Sequence, residues 1–398
     1  MRWRLRALGA PRALSTEVAT CPSKREVLRP FSFPMVSLQM RRLILPPLAA
    51  ALAFAALPVL LSGQTRLDRG TWADRIASLE SDLPDWMEEA GIPGVAIAVV
   101  TSGDVWQGDF GVRDVAQSAP VEATTVFEAA SLSKPIFARL VEDLVREGSL
   151  DLDRSLSEYW EYPDLAEAEW ADEITARTVL THRTGLPNWR RDRPLEIQFR
   201  PGERFQYSGE GYVYLQRVVA EVTGKALSEW AAESLFEPMD LTRSSFVFET
   251  DDPNFASPHH SEGHTLAKRP SVSPGNAAAS LHTTAADYGR FIQATLRGMR
   301  TDPERHSSMA LDATPVAPGL AWGLGWGLEL SGEGEPALWH WGDNGPFKAF
   351  VFVDPRSDVG FVFFANSTNG LAITKRVLLR LFPGEHAVLD WLRYDQLN

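Results

Sequence analysis

Hydrophobic residues recur at helical spacing in three parts of the chain. Residues 71–94 carry apolar positions three and four apart and end in Gly and Pro, which predicts a helix followed by a turn. The segment Pro135–Arg146 places its apolar side chains on one face and stops before Gly148, which predicts an amphipathic helix. A third helix is predicted in "ITKRVLLRLF" near the C-terminus.

Strand patterns cluster on either side of a strand-poor middle. "GVAIAVV", "TSGD" and "VWQGDFGV" predict strand, turn and strand. "ALWHW", "FKAFVFV" and "VGFVFFA" predict three more strands, the last two joined by a turn in "DPRSD". We therefore predict an α+β fold over residues 70–398. Its antiparallel sheet comes from residues 70–148 and 275–398 and is flanked by helices, and a mostly helical lobe is inserted over residues 149–274.

An apolar leader precedes this region. Leu43–Leu61 is a run of 19 uncharged residues that follows two arginines and precedes small residues, a layout typical of a secretory signal peptide. We predict a signal peptide over residues 40–63, and hence a secreted or periplasmic bacterial protein. An uncleaved membrane anchor is the alternative, because 19 residues just suffice to span a bilayer. Met40 or Met35 is then the expected start, which leaves residues 1–39 as a mis-assigned or disordered extension.

Composition narrows the class of protein. The chain is 44% hydrophobic, which suffices for a large core, and its net charge of -13 argues against nucleic acid as a partner. Its single cysteine, Cys21, lies in the leader, so we expect neither a disulfide framework nor a cysteine metal site in the folded part. The sequence carries no indication of oligomeric state.

Common catalytic signatures are absent. The chain has no G-x-S-x-G, H-E-x-x-H, Walker loop or complete G-x-G-x-x-G motif. "HHSEGH" supplies His259, His260 and His264, but we interpret it as a polar surface loop, not a metal site. We predict no metal and no cofactor.

Ser131 and Lys134 in "SLSKPIFARL" are the candidate reaction centre. Only six of the 39 basic residues are lysines, and arginine cannot serve as a titratable base. At i and i+3 the amine returns over the hydroxyl, and a helix that opens at Ser131 favours a negative oxygen there. The lysine pKa must fall from about 10.4 to near neutral pH, which needs a partly dry site. Taken alone, a helix-capping serine and a solvent-facing lysine explain the match better.

Other stretches of the sequence favour the reaction centre over the capping interpretation. Their order and spacing resemble the motifs of the serine β-lactamase and penicillin-binding-protein superfamily. The similarity is to its class C β-lactamase-related branch, which includes D,D-peptidases and family VIII esterases, and it runs from about residue 75 to 385. "FEAASLSK" resembles the first motif, "FRPGERFQYSGEGYVYL" the region of the second, and "HWG" the third. "VLTHRTGLP", "LFEPMDLTRSSF", "LHTTAADYGRFI" and "GLGWGLEL" resemble further landmarks.

The resemblance implies roles for particular residues. Ser131 would form an acyl-enzyme, with Lys134 and Tyr207 as proton-transfer groups, and which of the two is the base stays open. The backbone N–H groups of Ser131 and Asp343 would form the oxyanion hole. His340 would lie across the cleft as a cationic or donating ring. The implied substrate-binding set also includes three neighbours in the second and third motifs: Gly209, Trp341 and Gly342.

Two departures bear on the substrate. In the second motif, Gly209 stands at the position where the family usually has the asparagine of Tyr-x-Asn. In the third motif, His340 and Trp341 stand in place of Lys and Thr. Both changes favour an esterase or peptidase over efficient β-lactam hydrolysis. We therefore expect a serine hydrolase that acts on a small ester, amide or peptide. The alternatives are a D-amino-acid peptidase, a weak β-lactamase, or a catalytically idle binding protein with the same fold.

Several aromatic side chains have simpler interpretations. We expect Trp322, Trp326, Trp339 and Trp341 to pack on the sheet, although Trp341 has the alternative of facing the cleft. His182 is expected to hold a loop through a hydrogen bond. Whether Glu210 or Asn344 supplies the contact of the missing asparagine stays open.

Overall fold

The computed structural model describes residues 71–101, 103–247, 252–267, 275–302, 313–330 and 334–393, all within one compact unit. The predicted extension over residues 1–39 and the signal peptide or anchor over 40–63 lie outside the described residues. Where the chain is described, no helix is both long and apolar enough to cross a membrane.

A nine-stranded antiparallel sheet forms the centre of the molecule. Its strand order is β3-β2-β1-β11-β10-β9-β8-β7-β6, so the first and last strands of the chain meet in the middle. The strands are β1 (Gly94–Thr101), β2 (Asp104–Asp114), β3 (Ala119–Pro120), β6 (Thr314–Ala317), β7 (Leu320–Trp322), β8 (Gly327–Glu329), β9 (Ala337–Asp343), β10 (Lys348–Asp354) and β11 (Val359–Ala365). The predicted sheet from both terminal segments is confirmed.

Both faces of the sheet are covered, which explains why its central strands are apolar throughout. Along β1, Ala96, Ala98 and Val100 face one core. The residues between them, including Val95 and Val99, face the other. Successive strand side chains point to opposite faces, so an unbroken apolar strand needs two partner layers.

Helices supply those layers. They are α1 (Trp72–Ala90), α2 (Ser133–Arg146), α3 (Ala176–Leu180), α4 (Gly209–Thr223), α5 (Leu227–Ala231), α6 (Ala285–Thr301), α7 (Thr374–Leu381) and α8 (Ala387–Leu392). The first begins at a capping box between Thr71 and Asp74 and ends at Gly91, whose φ of 63° suits glycine. The predicted closing helix is α7, and a further short helix, α8, follows it.

A separate two-stranded sheet carries the chain into the candidate site. It pairs β4 (Phe127–Ala130) with β5 (Leu281–Thr283), two short strands that the sequence pattern did not predict. The described residues between α2 and β5 form helices and turns, including α3, α4 and α5. The boundaries of the inserted lobe remain a prediction.

Candidate active site

Ser131 lies in the turn that joins β4 to α2. The helix begins at Ser133, two residues before the predicted segment Pro135–Arg146, so it does not open at Ser131. The carbonyl of Ser131 accepts a hydrogen bond from Lys134 N at 3.0 Å. Ala130 has a φ of 50°, a left-handed conformation that is costly for alanine. The strained backbone therefore directly precedes the candidate nucleophile.

Ser133 fastens this turn. Its side chain is fully buried, its Oγ donates to Ala130 O at 2.5 Å, and the same oxygen accepts from Leu281 N at 2.9 Å. One hydroxyl thus joins β4, β5 and the first turn of α2. Sequence reasoning missed Ser133, although it lies inside the S-x-x-K motif.

Lys134 lies in the first turn of α2 and is completely buried. Its Nζ is 3.2 Å from Ser131 Oγ and donates to the carbonyl of Ala278 at 2.8 Å. Burial holds the pKa of Lys134 well below its ordinary value, since the charged amine is costly in a dry site. The predicted pairing of serine and lysine is present in the structure, and burial favours the neutral form of the amine.

The carbonyl that receives Lys134 is held by α4. Gln216 donates from Nε2 to Gly275 O at 3.0 Å and accepts from Ala277 N at 2.8 Å. Because both bonds are made to backbone groups just before Ala278, one buried amide side chain fixes the segment that leads to the carbonyl bonded by the lysine.

Tyr207 lies over the lysine, just before α4. Its ring centroid is 4.7 Å from Lys134 Nζ, and its phenol oxygen is buried. Burial raises the pKa of Tyr207, and the Ser131 side chain lowers it by a smaller amount. The structure therefore brings Ser131, Lys134 and Tyr207 together, with the phenol held in its protonated form.

His182 packs against the ring of Tyr207. Its Nδ1 accepts a hydrogen bond from Ser208 N at 3.0 Å, which confirms the expected loop contact, and its ring centroid is 4.2 Å from that of Tyr207. Burial holds the pKa of His182 well below its usual range, and a proton on Lys134 or His340 would lower it further. The ring is therefore neutral, with its proton on Nε2, for which the described residues offer no hydrogen-bond partner.

His340 differs from the expectation of a cationic ring in the cleft. It is completely buried in β9, and Nδ1 lies 2.8 Å from Trp341 O. Burial, helped by the charge of Lys134, lowers the pKa of His340 to about 3. A neutral, inaccessible ring can orient the site from behind, but it cannot supply a positive charge to a substrate carboxylate.

The next residues of β9 bring the third motif against the nucleophile. A Cβ on Gly342 would lie 2.6 Å from Ala129 O, so only glycine allows this approach of the two strands. Asp343 follows at the exposed end of the strand, where its Oδ1 accepts from Lys348 Nζ at 2.5 Å. The backbone of Asp343 thus lies one residue beyond that close contact, and its role as oxyanion donor remains a prediction.

The tryptophans behave as expected, with one distinction. Trp322, Trp326 and Trp339 are buried within the sheet packing. Trp341 is half-buried, and its ring centroid is 5.0 Å from that of Tyr207. It also lines a cavity of about 700 Å³ together with Asp343. Trp341 therefore both packs on the sheet and borders open space.

The space beside Gly209 is occupied by an aromatic ring. A Cβ on Gly209 would lie 2.7 Å from Cη2 of Trp189, so an asparagine cannot fit there unless that ring moves. The two residues left open as substitutes already have partners. Asn344 Nδ2 donates to Glu128 and to Ala279 O, and Glu210 accepts from a backbone amide. Sequence reasoning missed Trp189, because nothing in its local pattern indicates contact with a residue twenty positions away.

The "HHSEGH" segment divides into a buried and an exposed part. His259 is completely buried, with Nδ1 3.0 Å from Asn366 O and Nε2 accepting from Val115 N at 3.2 Å, so it is not part of a surface loop. His260, Glu262 and His264 are at least partly exposed, and their ligand atoms lie within 4.8 Å of one another. These three side chains are close enough to ligate one metal ion together. Among the described residues, no hydrogen bond links them to Ser131, Lys134 or Tyr207.

Comparisons with known proteins agree with this geometry. "Protein flp" of Staphylococcus aureus (strain COL) is 24% identical over 313 residues, which cover 70% of this chain and 61% of the relative. The chain thus spans about three fifths of that relative's length. Penicillin-binding protein 4 of Amycolatopsis lactamdurans is 27% identical over 336 residues, which cover 75% of this chain and 85% of the relative.

Solved structures share the fold. A crystal structure of a class C beta-lactamase aligns with a TM-score of 0.69 and 19% identity, covering 79% of this chain and 99% of that one. The Beta-lactamase family model matches residues 77–381, well over half of the chain. The chain therefore belongs to the beta-lactamase family, with the β-lactamase/transpeptidase-like fold of its serine hydrolases.

Proposed function

We propose that this chain is a secreted or periplasmic serine hydrolase that cleaves an ester or amide through an acyl-enzyme on Ser131. One observation carries the proposal: the buried Lys134 amine lies 3.2 Å from Ser131 Oγ, and burial lowers its pKa. A neutral amine at hydrogen-bonding distance from a hydroxyl is the arrangement that general-base activation of a nucleophile requires.

In the acylation step, Lys134 Nζ takes the proton of Ser131 as Oγ attacks the substrate carbonyl carbon. The resulting ammonium ion faces the rings of Tyr207 and Tyr212, whose centroids are 4.7 and 5.4 Å from Nζ. Aromatic faces attract a cation, most strongly where water is excluded. The backbone N–H groups of Ser131 and Asp343 are the proposed donors to the oxyanion.

Collapse of the tetrahedral intermediate requires a proton for the leaving group. We assign its delivery to Tyr207, whose phenol passes its own proton on and recovers one from the Lys134 ammonium. Burial raises the pKa of Tyr207, which favours this relay over a phenolate base. Water then attacks the acyl carbon, Lys134 accepts its proton, and Ser131 leaves with a proton returned to Oγ.

The substrate side of the site favours esters and peptides over β-lactams. His340 is neutral, so the third motif lacks the fixed positive charge that would hold a β-lactam carboxylate. Gly209 offers no amide, and Trp189 occupies the adjoining space. A D-amino-acid peptidase is the second candidate, and the similarity to a penicillin-binding protein supports it.

Covalent labelling tests the proposal. We expect a fluorophosphonate probe to label the wild-type protein and to leave Ser131→Ala unlabelled at equal concentration. p-Nitrophenyl esters should be turned over faster than nitrocefin, by at least about 10²-fold in kcat/KM, with D-Ala-D-Ala peptides as the competing class.

Two outcomes would contradict this account in different ways. Equal labelling of wild type and Ser131→Ala, or no labelling by either a fluorophosphonate or a fluorescent penicillin, would remove the enzyme proposal and leave a binding protein. Robust nitrocefin turnover that depends on Ser131 would keep the enzyme and overturn the substrate preference.

A further inference from the structure

Trp189 presents a partly exposed indole ring beside Gly209, the first residue of α4. The ring is 40% exposed, whereas most large apolar side chains in the described part of the chain are buried. It contacts Gly209, and Gly209 is two residues from Tyr207, whose ring faces Lys134. A single exposed apolar residue is ordinary on a protein surface. Trp189 differs in its position and in the rigidity of the segment that holds it.

The backbone on both sides of Trp189 is tied to the start of α4. Before it, Asn188 O accepts from Gly209 N at 3.0 Å and from Glu210 N at 3.2 Å, while Asn188 Oδ1 accepts from Gly209 N at 3.1 Å. After it, Arg190 N donates to Glu210 Oε1 at 3.0 Å. The exposed ring is thus carried on a short segment that cannot drift away from the helix.

The glycine and the tryptophan are sterically coupled. A Cβ on Gly209 would lie 2.7 and 2.8 Å from two carbons of the Trp189 ring and 2.8 Å from Asn188 O. Such distances essentially never occur for a real Cβ, so any side chain at position 209 requires both the Trp189 ring and the Asn188 carbonyl to shift. The segment therefore presents a flat apolar surface where a polar side chain would otherwise extend.

A pre-positioned indole lowers the entropic cost of binding a planar apolar group. Rings stack on it in offset or edge-to-face geometry, and these contacts add to the gain from surface burial. An acylamido group fares worse beside it, because its N–H and C=O lose water there without gaining a partner from position 209. The geometry hence discriminates between two classes of acyl group.

We propose that Trp189 is a specificity-determining residue that forms one wall of the acyl-binding site and selects substrates with an aromatic or other flat apolar acyl group. The proposal rests on the proposed function, because it assumes an acyl-enzyme on Ser131. Its chemical content is separate: it concerns which acyl group is accepted, and leaves the reaction unchanged.

Paired esters test the selection. We expect the kcat/KM ratio of p-nitrophenyl phenylacetate to p-nitrophenyl acetate to fall about tenfold in Trp189→Ala and to be largely kept in Trp189→Phe. Turnover of the acetate reports that each variant is folded and active. Leu330→Ala, which removes a side chain 50% exposed elsewhere, is the matched control and should leave the ratio unchanged.

The reciprocal change tests the steric coupling. Gly209→Asn by itself should lower activity on both esters, and Trp189→Ala should recover part of that loss when the two changes are combined, because the clash with the ring is removed and the one with Asn188 O remains. An unchanged ester ratio in Trp189→Ala would overturn the proposal. Failure of the proposed function would be distinguishable, because ester turnover would then persist in Ser131→Ala.

Discussion

At the scale of single residues, the site depends on burying side chains that can take up a proton. Lys134, His182 and His340 are all completely buried, and burial lowers the pKa of each one. For Lys134 the cause is burial alone, and burial favours the neutral amine that can act as a base. A proton on Lys134 would further disfavour protonation of the two histidines.

The same burial makes stability depend on pH. The unfolded chain takes up a proton on His340 below its ordinary pKa of 6.5, whereas the folded protein does so only near 3. Protons are therefore bound more by the unfolded state between these values, and stability falls as pH drops from 6.5 toward 3. Two pH units below 6.5 the loss from this one group is about 2–3 kcal/mol.

Substitution of the histidine should remove that contribution. In His340→Asn the amide can still donate to Trp341 O, so we expect a shallower decline in the free energy of unfolding between pH 6.5 and 4.5 than in wild type. Urea unfolding at several pH values measures the difference. Parallel curves for the two proteins would show that His340 is not held neutral by burial.

At the scale of elements, the nucleophile turn is fixed from three directions. The short sheet of β4 and β5 ends at the strained Ala130, and α2 begins at Ser133, two residues after Ser131. The Ser133 hydroxyl joins β4, β5 and the first turn of α2. Lys134 N, in the first turn of α2, donates to Ser131 O and so fastens the turn to the helix.

Removing the Ser133 hydroxyl should loosen this junction. Ser133→Ala leaves a buried N–H and a buried C=O without partners, which we expect to lower the free energy of unfolding by about 2–3 kcal/mol. We also expect kcat to fall more than KM changes, because the position of the nucleophile is affected and the substrate wall is not. Chemical denaturation and steady-state kinetics measure the two effects.

Ser149→Ala at the other end of α2 is the matched control, since that serine is exposed. It should leave both stability and kcat near wild type. If Ser133→Ala behaved like Ser149→Ala, the junction would not depend on the buried hydroxyl.

At the scale of the whole molecule, the hydrophobic periodicity of the sequence predicts the strands and helices that pack on the core. The alternating or fully apolar runs of β1, β10 and β11 and the amphipathic face of α2 were predictable, because each reflects contact with a large, continuous core. The S-x-x-K spacing likewise predicted the approach of Lys134 to Ser131, since i and i+3 lie together at a helix start.

Other features depend on contacts between distant segments, and no local pattern records those. The contact of Trp189 with Gly209 joins a loop to the start of α4, and the pairing of β4 with β5 joins residues more than 150 positions apart. His340 packs against Tyr207 and Trp322, both distant in sequence, so its burial could not be predicted from "HWG" alone. These unpredicted features are the ones that bear on the substrate.

The central claim is that a neutral, buried Lys134 activates Ser131. Its most direct test is the rate of Ser131 acylation by a fluorophosphonate as a function of pH, in wild type and in Lys134→Arg. We predict that the wild-type rate reaches its plateau well below pH 10.5 and that the arginine variant loses about 10²–10⁴-fold of it, since arginine cannot release its proton. A wild-type rate that still climbs through pH 10, or equal rates in both proteins, would contradict the account.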